Sequence, residues 1–262
     1  MPRPSEADLA AFYDVSYFVG ESAYGYSDYE GESLAAANAA RMWDDIRRGI
    51  PADQQRPRSV LDVGCATGDL LGRAQADGWL TVGVELSAWA AERARARGIQ
   101  VATDLSRVDP PPEGFGLVTM FHVVEHLPDP REALRRVAEL LAPNGLVVIE
   151  VPQWRSLGRV IRRSQWAQLR PPEHITFLDG RSMAALLRRC DLEPVRITTS
   201  YPHLRDRWEA SSGLGRARAA AGLLAARVAE GSGRGGYLRA VAATRVGEVR
   251  LQSVPDRPRP RD

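Results

Sequence analysis

An α/β domain with a doubly wound, mostly parallel sheet is the architecture this sequence predicts, on three observations. Apolar segments alternate with segments of helical periodicity through most of the chain. The apolar segments, such as SVLDVG at 59–64 and GLVVIEV at 145–151, are apolar nearly throughout rather than at every second residue. A strand needs that pattern when helices cover both faces of its sheet. Turn residues, chiefly glycine, separate the two kinds of segment.

Each element follows in order. Residues 1–30 are polar and rich in tyrosine, and read as an aromatic segment ahead of the regular domain. Ala36, Ala40, Trp43 and Arg47 recur every three or four residues, so 33–48 is predicted as a helix. PADQQRPR is a linker. SVLDVG is the first strand, followed by the loop CATGD and the helix LLGRAQADG. TVGVE is the second strand, and SAWAAERARARG a helix with Ser87 as N-cap and Gly98 as its stop. IQVATD is the third strand and GLVTMFHVV the fourth. Asp129 and Pro130 then suit the N-cap and first position of a helix to Leu141, with Leu134, Val137 and Leu141 on one face. Pro143-Asn144-Gly145 turns the chain into the fifth strand, GLVVIEV. Residues 152–173 break the rhythm with two tryptophans and five arginines. A helix at 180–190, a strand near 194–200, an Ala-rich helical stretch at 205–230 and a strand near 237–246 complete the pattern. The expected organisation is a helical and aromatic lid at 1–50 and a main domain at 51–250, with 152–173 and 201–235 as substrate-side insertions. A disordered tail is expected at 251–262.

Composition narrows the function. Apolar residues at 44% and charged residues at 26% fit a soluble globular protein. No apolar run approaches the ~20 residues that cross a bilayer, and the start MPRPSEADLAAF lacks the pattern of a signal peptide. A cytoplasmic location without membrane association is the expectation. Cys65 and Cys190 cannot make a disulfide framework, and no CxxC pair suggests zinc. The basic residues are all arginine and the net charge is only +2, so nucleic acid is not the expected partner. An oligomer is compatible with the sequence.

The strongest chemical signal is Val60-Leu61-Asp62-Val63-Gly64-Cys65-Ala66-Thr67-Gly68-Asp69. Glycines at a strand-to-helix turn let a ligand approach the backbone, and the helix supplies free N–H groups. The spacing is GxxxG after an acidic residue, unlike the GxGxxG that seats a pyrophosphate. An aspartate there repels phosphate but suits an ammonium or a sulfonium. Glu85 ends the second strand, where its carboxylate can accept from two ribose hydroxyls. Asp104 ends the third, placed for an adenine amino group, with Leu105 beside it. Acids at the ends of three strands point at one crevice.

Together these segments resemble class I S-adenosylmethionine-dependent methyltransferases, of the broad group that includes the ubiquinone-pathway O-methyltransferases. VLDVGCATGDLL resembles the first motif of that family, VGVELS its second and FGLVTMFHVVEHLPDP the segment around its fourth strand. PPEHITFLDGRSMAALLRRCDLEPVRI resembles its C-terminal part. The resemblance covers roughly 58–200 and implies a Rossmann-like, seven-stranded sheet whose last strand is antiparallel. It implies S-adenosyl-L-methionine as cofactor, lined by Asp62, Gly64, Cys65, Gly68, Glu85, Leu86, Asp104, Leu105, Phe121 and His122. Cys65 reads as a small residue that fits the loop rather than a nucleophile. Tyr17 and Tyr26 resemble parts of a lid over the cofactor; packing against the domain is their other reading.

Three of the four histidines fall in HVVEH and PEHITF, as His122, His126 and His174. Three readings stay open: a packing and capping role, a general base, or a cation site made with Glu125. The small-RNA 2′-O-methyltransferases use a similar Glu-x-x-Glu-His plus distant histidine, but here His122 stands at the first glutamate, which favours a softer metal. The assignment carried forward is acid–base, on His126 and His174, with no metal. His203 reads as a surface loop residue. The expected function is methyl transfer to an oxygen or nitrogen of a small-molecule acceptor, a displacement that needs mainly in-line alignment and proximity. The alternatives are an RNA or peptide methyltransferase, suggested by the arginines and tryptophans of 154–170, and other S-adenosylmethionine chemistry such as cyclisation.

Overall fold

The computed structural model describes residues 32–50, 56–171, 173–201 and 213–245. Tyr17, Tyr26, His203 and the expected tail lie outside the described residues. The chain runs α1 (Glu32–Gly49), β1 (Ser59–Val63), α2 (Asp69–Ala76), β2 (Leu80–Val84), α3 (Ala88–Ala96) and β3 (Gln100–Ala102). It continues through β4 (Phe115–Phe121), α4 (Pro130–Leu140), β5 (Leu141–Pro152), α5 (Leu157–Arg162) and α6 (Gly180–Arg188). β6 (Leu192–Ser200), α7 (Gly213–Gly231) and β7 (Tyr237–Thr244) follow, and 3-10 turns lie at Leu105–Arg107, Val124–His126 and Arg163–Gln165.

The seven strands form one sheet in the order β3-β2-β1-β4-β5-β7-β6. All pairings from β3 to β5 are parallel, and β7 is antiparallel to both its neighbours. The order reverses direction between β1 and β4. That switch point opens a crevice beyond the carboxyl ends of the strands, where such sheets bind ligands.

Successive residues of the central strands feed opposite faces, which explains why the strands are apolar throughout. Val60, Leu117, Leu146 and Val148 pack with Trp43 and Ile46 of α1, Leu70, Leu71 and Ala74 of α2 and Ala94 of α3. Leu61, Val118, Met120, Val147 and Ile149 pack instead with Leu134, Val137 and Leu140 of α4 and Met183 and Leu187 of α6. Local chemistry starts the helices where it should. The Asp129 carboxylate accepts from the Arg131 N–H ahead of Pro130 at the head of α4. Asp179 and Ser182 form a reciprocal capping box on α6. Gly98, at φ +80, follows the end of α3.

Several boundaries differ from the sequence reading; β2, for one, stops at Val84, just before Glu85. β3 stops at Ala102, so Asp104 lies beyond the strand rather than at its end. β4 stops at Phe121 because His122 takes a left-handed conformation, φ +55, which turns Val124–His126 out of the sheet. α4 ends at Leu140, one residue short of Leu141. Pro143-Asn144-Gly145 falls inside β5, not before it. Leu141 pairs with Phe115 and Leu146 with Leu117, and the register shift between those pairs absorbs the turn. No helix among the described residues is long and apolar enough to cross a membrane.

Candidate functional site

The glycine loop joins β1 to α2 and is fastened to β2 by its backbone. Gly64 N–H and Cys65 N–H both donate to the Val84 carbonyl, at 2.8 and 3.0 Å. Gly64 (φ +76), Ala66 (φ +46) and Gly68 (φ +81) are left-handed, which winds the chain tightly round to the helix. The two glycines are required for different reasons. A Cβ on Gly64 would lie 2.6 Å from Val123 Cγ2, in the turn after β4. One on Gly68 would lie 2.6 Å from Ile99 Cδ1 and 3.0 Å from Ala94 Cβ, so Gly68 lets α2 pack close to α3. The Cys65 thiol is buried against Gly83 in the core, which removes its side chain from the ligand-facing surface of the loop. Burial also pushes its pKa up, so a thiolate is disfavoured.

Two buried carboxylates flank this loop. Asp62, on β1, accepts from Thr119 Oγ1 at 2.6 Å. Burial pushes its pKa up to about 7; the Thr119 hydroxyl opposes the rise and the Glu85 carboxylate adds to it. Glu85 follows β2, and its carboxylate accepts the Ala66 N–H at 2.9 Å and the Ser87 N–H at 2.8 Å, one on each oxygen. Burial raises its pKa too, against those backbone bonds. Leu86 beside it is exposed, at 45%, an apolar face left open next to a buried acid. Asp104 is exposed and caps the Leu105–Arg107 turn by accepting from the Ser106 N–H at 2.6 Å; the Ser106 side chain and then that N–H hold its carboxyl below the usual range. Leu105 is half-buried against the core. Phe121 closes β4, with the Arg239 guanidinium 5.4 Å from its ring centre.

The turn after β4 carries a second cluster. His122 reaches Glu125 Oε1 with Nδ1 at 3.3 Å and lies 3.9 Å from Glu150 Oε1 through Nε2. Burial works against its charge, but those two carboxylates outweigh it and hold its pKa above the ordinary value. The Glu125 carbonyl accepts from both Ile175 N–H and Thr176 N–H, at 2.9 and 3.0 Å, which brings the PEHITF segment onto the turn. His126 and His174 therefore meet, with ring centres 4.7 Å apart and nearly perpendicular. Both are buried. His126 Nδ1 lies 3.0 Å from the Glu173 carbonyl, and His174 Nδ1 lies 2.7 Å from that of Gln168. A carbonyl only accepts, so both rings carry their proton on Nδ1. Burial pushes the His126 pKa down to about 4. One ligand atom each from Glu125, His126 and His174 lies within 4.8 Å of the others. His122 contacts the cluster through Glu125 and is not one of the three.

Three members of this neighbourhood escaped the sequence reading. Glu150 is buried and is held by Arg239, whose Nε and Nη2 both lie 2.8 Å from its Oε2. Tyr237 packs edge-on to His122 at 5.2 Å. A glutamate inside the apolar run GLVVIEV was the available signal for Glu150. The segment 152–173 forms an aromatic wall, with Trp154 at 5.0 Å from Phe177 and 6.2 Å from Trp166. The Arg159 guanidinium stacks on Trp154 at 4.3 Å, which occupies one of the arginines considered for nucleic acid.

A sheet of this order, a glycine loop at its switch point and buried acids on β1 and just after β2 define the class of S-adenosylmethionine-dependent methyltransferases. The chain belongs to the family of methyltransferase domains, which it matches over residues 35–197. It uses S-adenosylmethionine as methyl donor. It is similar to the ubiquinone biosynthesis O-methyltransferase of Idiomarina loihiensis, 31% identical over an alignment of 201 positions, with 65% of this chain and 82% of that one covered. The enzyme of the same name from Vibrio campbellii is 25% identical over 72% of this chain and 86% of its own. Among solved structures, the [4+2]-cyclase SpnF superposes with a TM-score of 0.62 at 20% identity, over 94% of this chain and 99% of that one. A possible histamine N-methyltransferase from Thermotoga maritima superposes with a TM-score of 0.55 at 16% identity, over 82% and 94%. These two likenesses establish the fold.

Proposed function

We propose that this methyltransferase acts on a hydroxyl oxygen of a small-molecule acceptor in a biosynthetic pathway. The observation that carries the methyl-transfer reading is the pair Asp62 and Glu85, two buried carboxylates beside a backbone loop, of which Glu85 adds to the cost of charging Asp62. A ligand bearing an ammonium and a sulfonium supplies the positive charge such a pair lacks. The residues fit that cofactor in detail. Each Glu85 oxygen accepts one backbone N–H and keeps a lone pair, enough for two ribose hydroxyls. Leu86 and Leu105 offer apolar faces to the adenine, and Asp104 is assigned its amino group. Gly64 and Gly68 keep the loop tight; Phe121 and His122 border the crevice on the β4 side; Tyr17 and Tyr26 are assigned to a cover from the N-terminal segment.

When bound, S-adenosylmethionine supplies an activated methyl group. The protein's own contribution is to exclude water and align the acceptor in line with that group. The aromatic wall of Trp154, Trp166 and Phe177 suits a flat acceptor. The names of the curated relatives support oxygen over nitrogen. Burial pushes the His126 pKa down to about 4, which keeps its ring neutral near neutrality and makes it a weak base for a hydroxyl proton.

Purified protein incubated with methyl-labelled S-adenosylmethionine and a panel of phenols, alcohols and amines tests the reading. Label on a hydroxyl, with one S-adenosylhomocysteine formed per methyl moved, is the expected result. Label on amines alone overturns the oxygen assignment. Label in an RNA fraction in preference to the whole panel overturns the small-molecule one.

A further inference from the structure

We propose that Arg159 reads a carboxylate on the acceptor, so that the favoured substrate is a flat aromatic hydroxyl compound that also bears an acidic group. The inference rests on the small-molecule reading above and narrows it to a class of acceptor.

The starting point is a cation without a counterion. Residues 152–172 hold five arginines and no aspartate or glutamate, so nothing within the segment neutralises them. Arg155, Arg162 and Arg163 are exposed, and Arg170 Nε lies 3.2 Å from Glu173 Oε2. Arg159 has neither outlet. It is half-buried, its Nε is shielded from solvent without a hydrogen bond, and it makes no ion pair among the described residues. A buried nitrogen of this kind costs free energy that a native protein normally recovers. Partial burial also reduces the screening that makes exposed ion pairs weak.

The side chain is held in one place. The Arg159 guanidinium carbon lies 4.3 Å from the centre of the Trp154 ring. Stacking of this kind uses the face of the guanidinium and leaves its N–H edge free. The Ser156 hydroxyl oxygen accepts the Arg159 backbone N–H at 3.2 Å, which fixes the main chain at the start of α5. A planar fork held on a ring has less rotamer freedom to lose when it binds. Such a fork matches a carboxylate, which accepts two parallel N–H···O bonds.

The same side chain lies on an aromatic surface that leads to the crevice. Trp154 is 5.0 Å from Phe177, and Phe177 is 6.5 Å from His174. His174 meets His126 at 4.7 Å, on the turn whose Val123 abuts Gly64 of the cofactor loop. A chain of contacts thus joins Arg159 to the cofactor side. Trp154 and Phe177 are each half-buried, so ring surface remains for a ligand. An acceptor laid on these rings with its carboxylate on Arg159 is held at two points, which restricts its orientation more than a flat surface alone.

The test uses the full chain loaded with S-adenosylhomocysteine, so that binding is read without turnover. Hydroxycinnamates, hydroxyphenylacetates and hydroxynaphthoates are titrated by calorimetry, each against its own carboxamide. At least one acid should bind about 10- to 100-fold more tightly than its amide. Arg159→Met should abolish that preference while the affinities for the amide and for S-adenosylhomocysteine hold. Arg159→Lys should restore only part of it, because an ammonium lacks the fork. Amides bound as tightly as acids in every frame, no binding of any acid, or a preference that survives in folded Arg159→Met would each overturn the proposal. The acid-against-amide comparison is made on the parent protein and needs no variant to fold. The methyl-transfer reading fails separately, when the labelled panel puts no methyl on a hydroxyl, because acids can be preferred in binding whichever atom is methylated.

Discussion

Asp62 offers a direct test of how this site is built, through Asp62→Asn. The substitution keeps an oxygen for the Thr119 hydroxyl to donate to and removes the ionisable group. Burial moves the carboxyl from its ordinary 3.8 to about 7 in the folded protein, a difference equivalent to roughly 4 kcal/mol. The sign follows from linkage. A group whose folded pKa is raised binds more protons folded than unfolded between those two values. Its contribution is therefore most favourable below about pH 4 and is lost as pH rises through about 7. Asparagine has nothing to lose over that window. Integrated between pH 5 and pH 8, the advantage of Asp62→Asn over the parent should grow by roughly 2–3 kcal/mol. Urea unfolding at the two pH values, on cofactor-free protein, measures it directly. An advantage of equal size at pH 5 and pH 8 refutes the reasoning, because it would locate the effect in packing rather than in the charge. The same variant should bind S-adenosylmethionine more weakly, since the strain relieved is the one a cationic ligand relieves.

Glu85→Gln should weaken S-adenosylmethionine binding by about 1–3 kcal/mol in calorimetry, through lost or weakened ribose bonds; unchanged affinity removes Glu85 from the cofactor site. Gly68→Ala forces a side chain into φ +81 and to 2.6 Å from Ile99 Cδ1, and should cost roughly 2–4 kcal/mol of stability in denaturant unfolding. Arg239→Met strands the buried Glu150 carboxylate. It should destabilise the fold by about 3–5 kcal/mol, with a companion Glu150→Gln recovering a large part of the loss in a double-mutant cycle.

The parts legible in sequence are those whose causes are local. The β1 strand, its glycine turn and α2 occupy adjacent residues, and the left-handed φ at Gly64 and Gly68 is a demand that glycine announces. The Asp129-Pro130 start of α4 is equally local. Boundaries set by a partner strand were not legible. Nothing in GLVTMFHVV marks His122 as the residue that leaves the sheet, because Val123 and Val124 prolong the apolar run. The Pro-Asn-Gly of β5 reads as a turn, and only its pairing with β4 shows that the strand carries it as an irregularity. The site divides along the same line. Asp62 and Glu85 are singled out in the sequence by their places near strand ends, and the structure buries both beside the glycine loop. His126 and His174 were found as types, but their meeting depends on backbone bonds between Glu125 and residues 175–176. Their proton positions depend on carbonyls, which a sequence does not distinguish from one residue to the next. Glu150 and Arg239 are paired by the antiparallel register of β5 with β7, a long-range fact without a local signature.

The way residues 152–173 are attached has a consequence for modularity. At the leading end, Gln153 N–H donates to the Gly236 carbonyl and Trp154 N–H to that of Leu178. At the trailing end, the two amides after His174 are bound to Glu125. Each of these bonds is made by main-chain atoms, which every residue but proline can supply on the donor side. The segment is thus fastened at both ends by main-chain bonds, which do not depend on the side chains at those positions. On the function proposed above, a change of exposed side chains within the segment should alter which acceptors are admitted without disturbing its fastening.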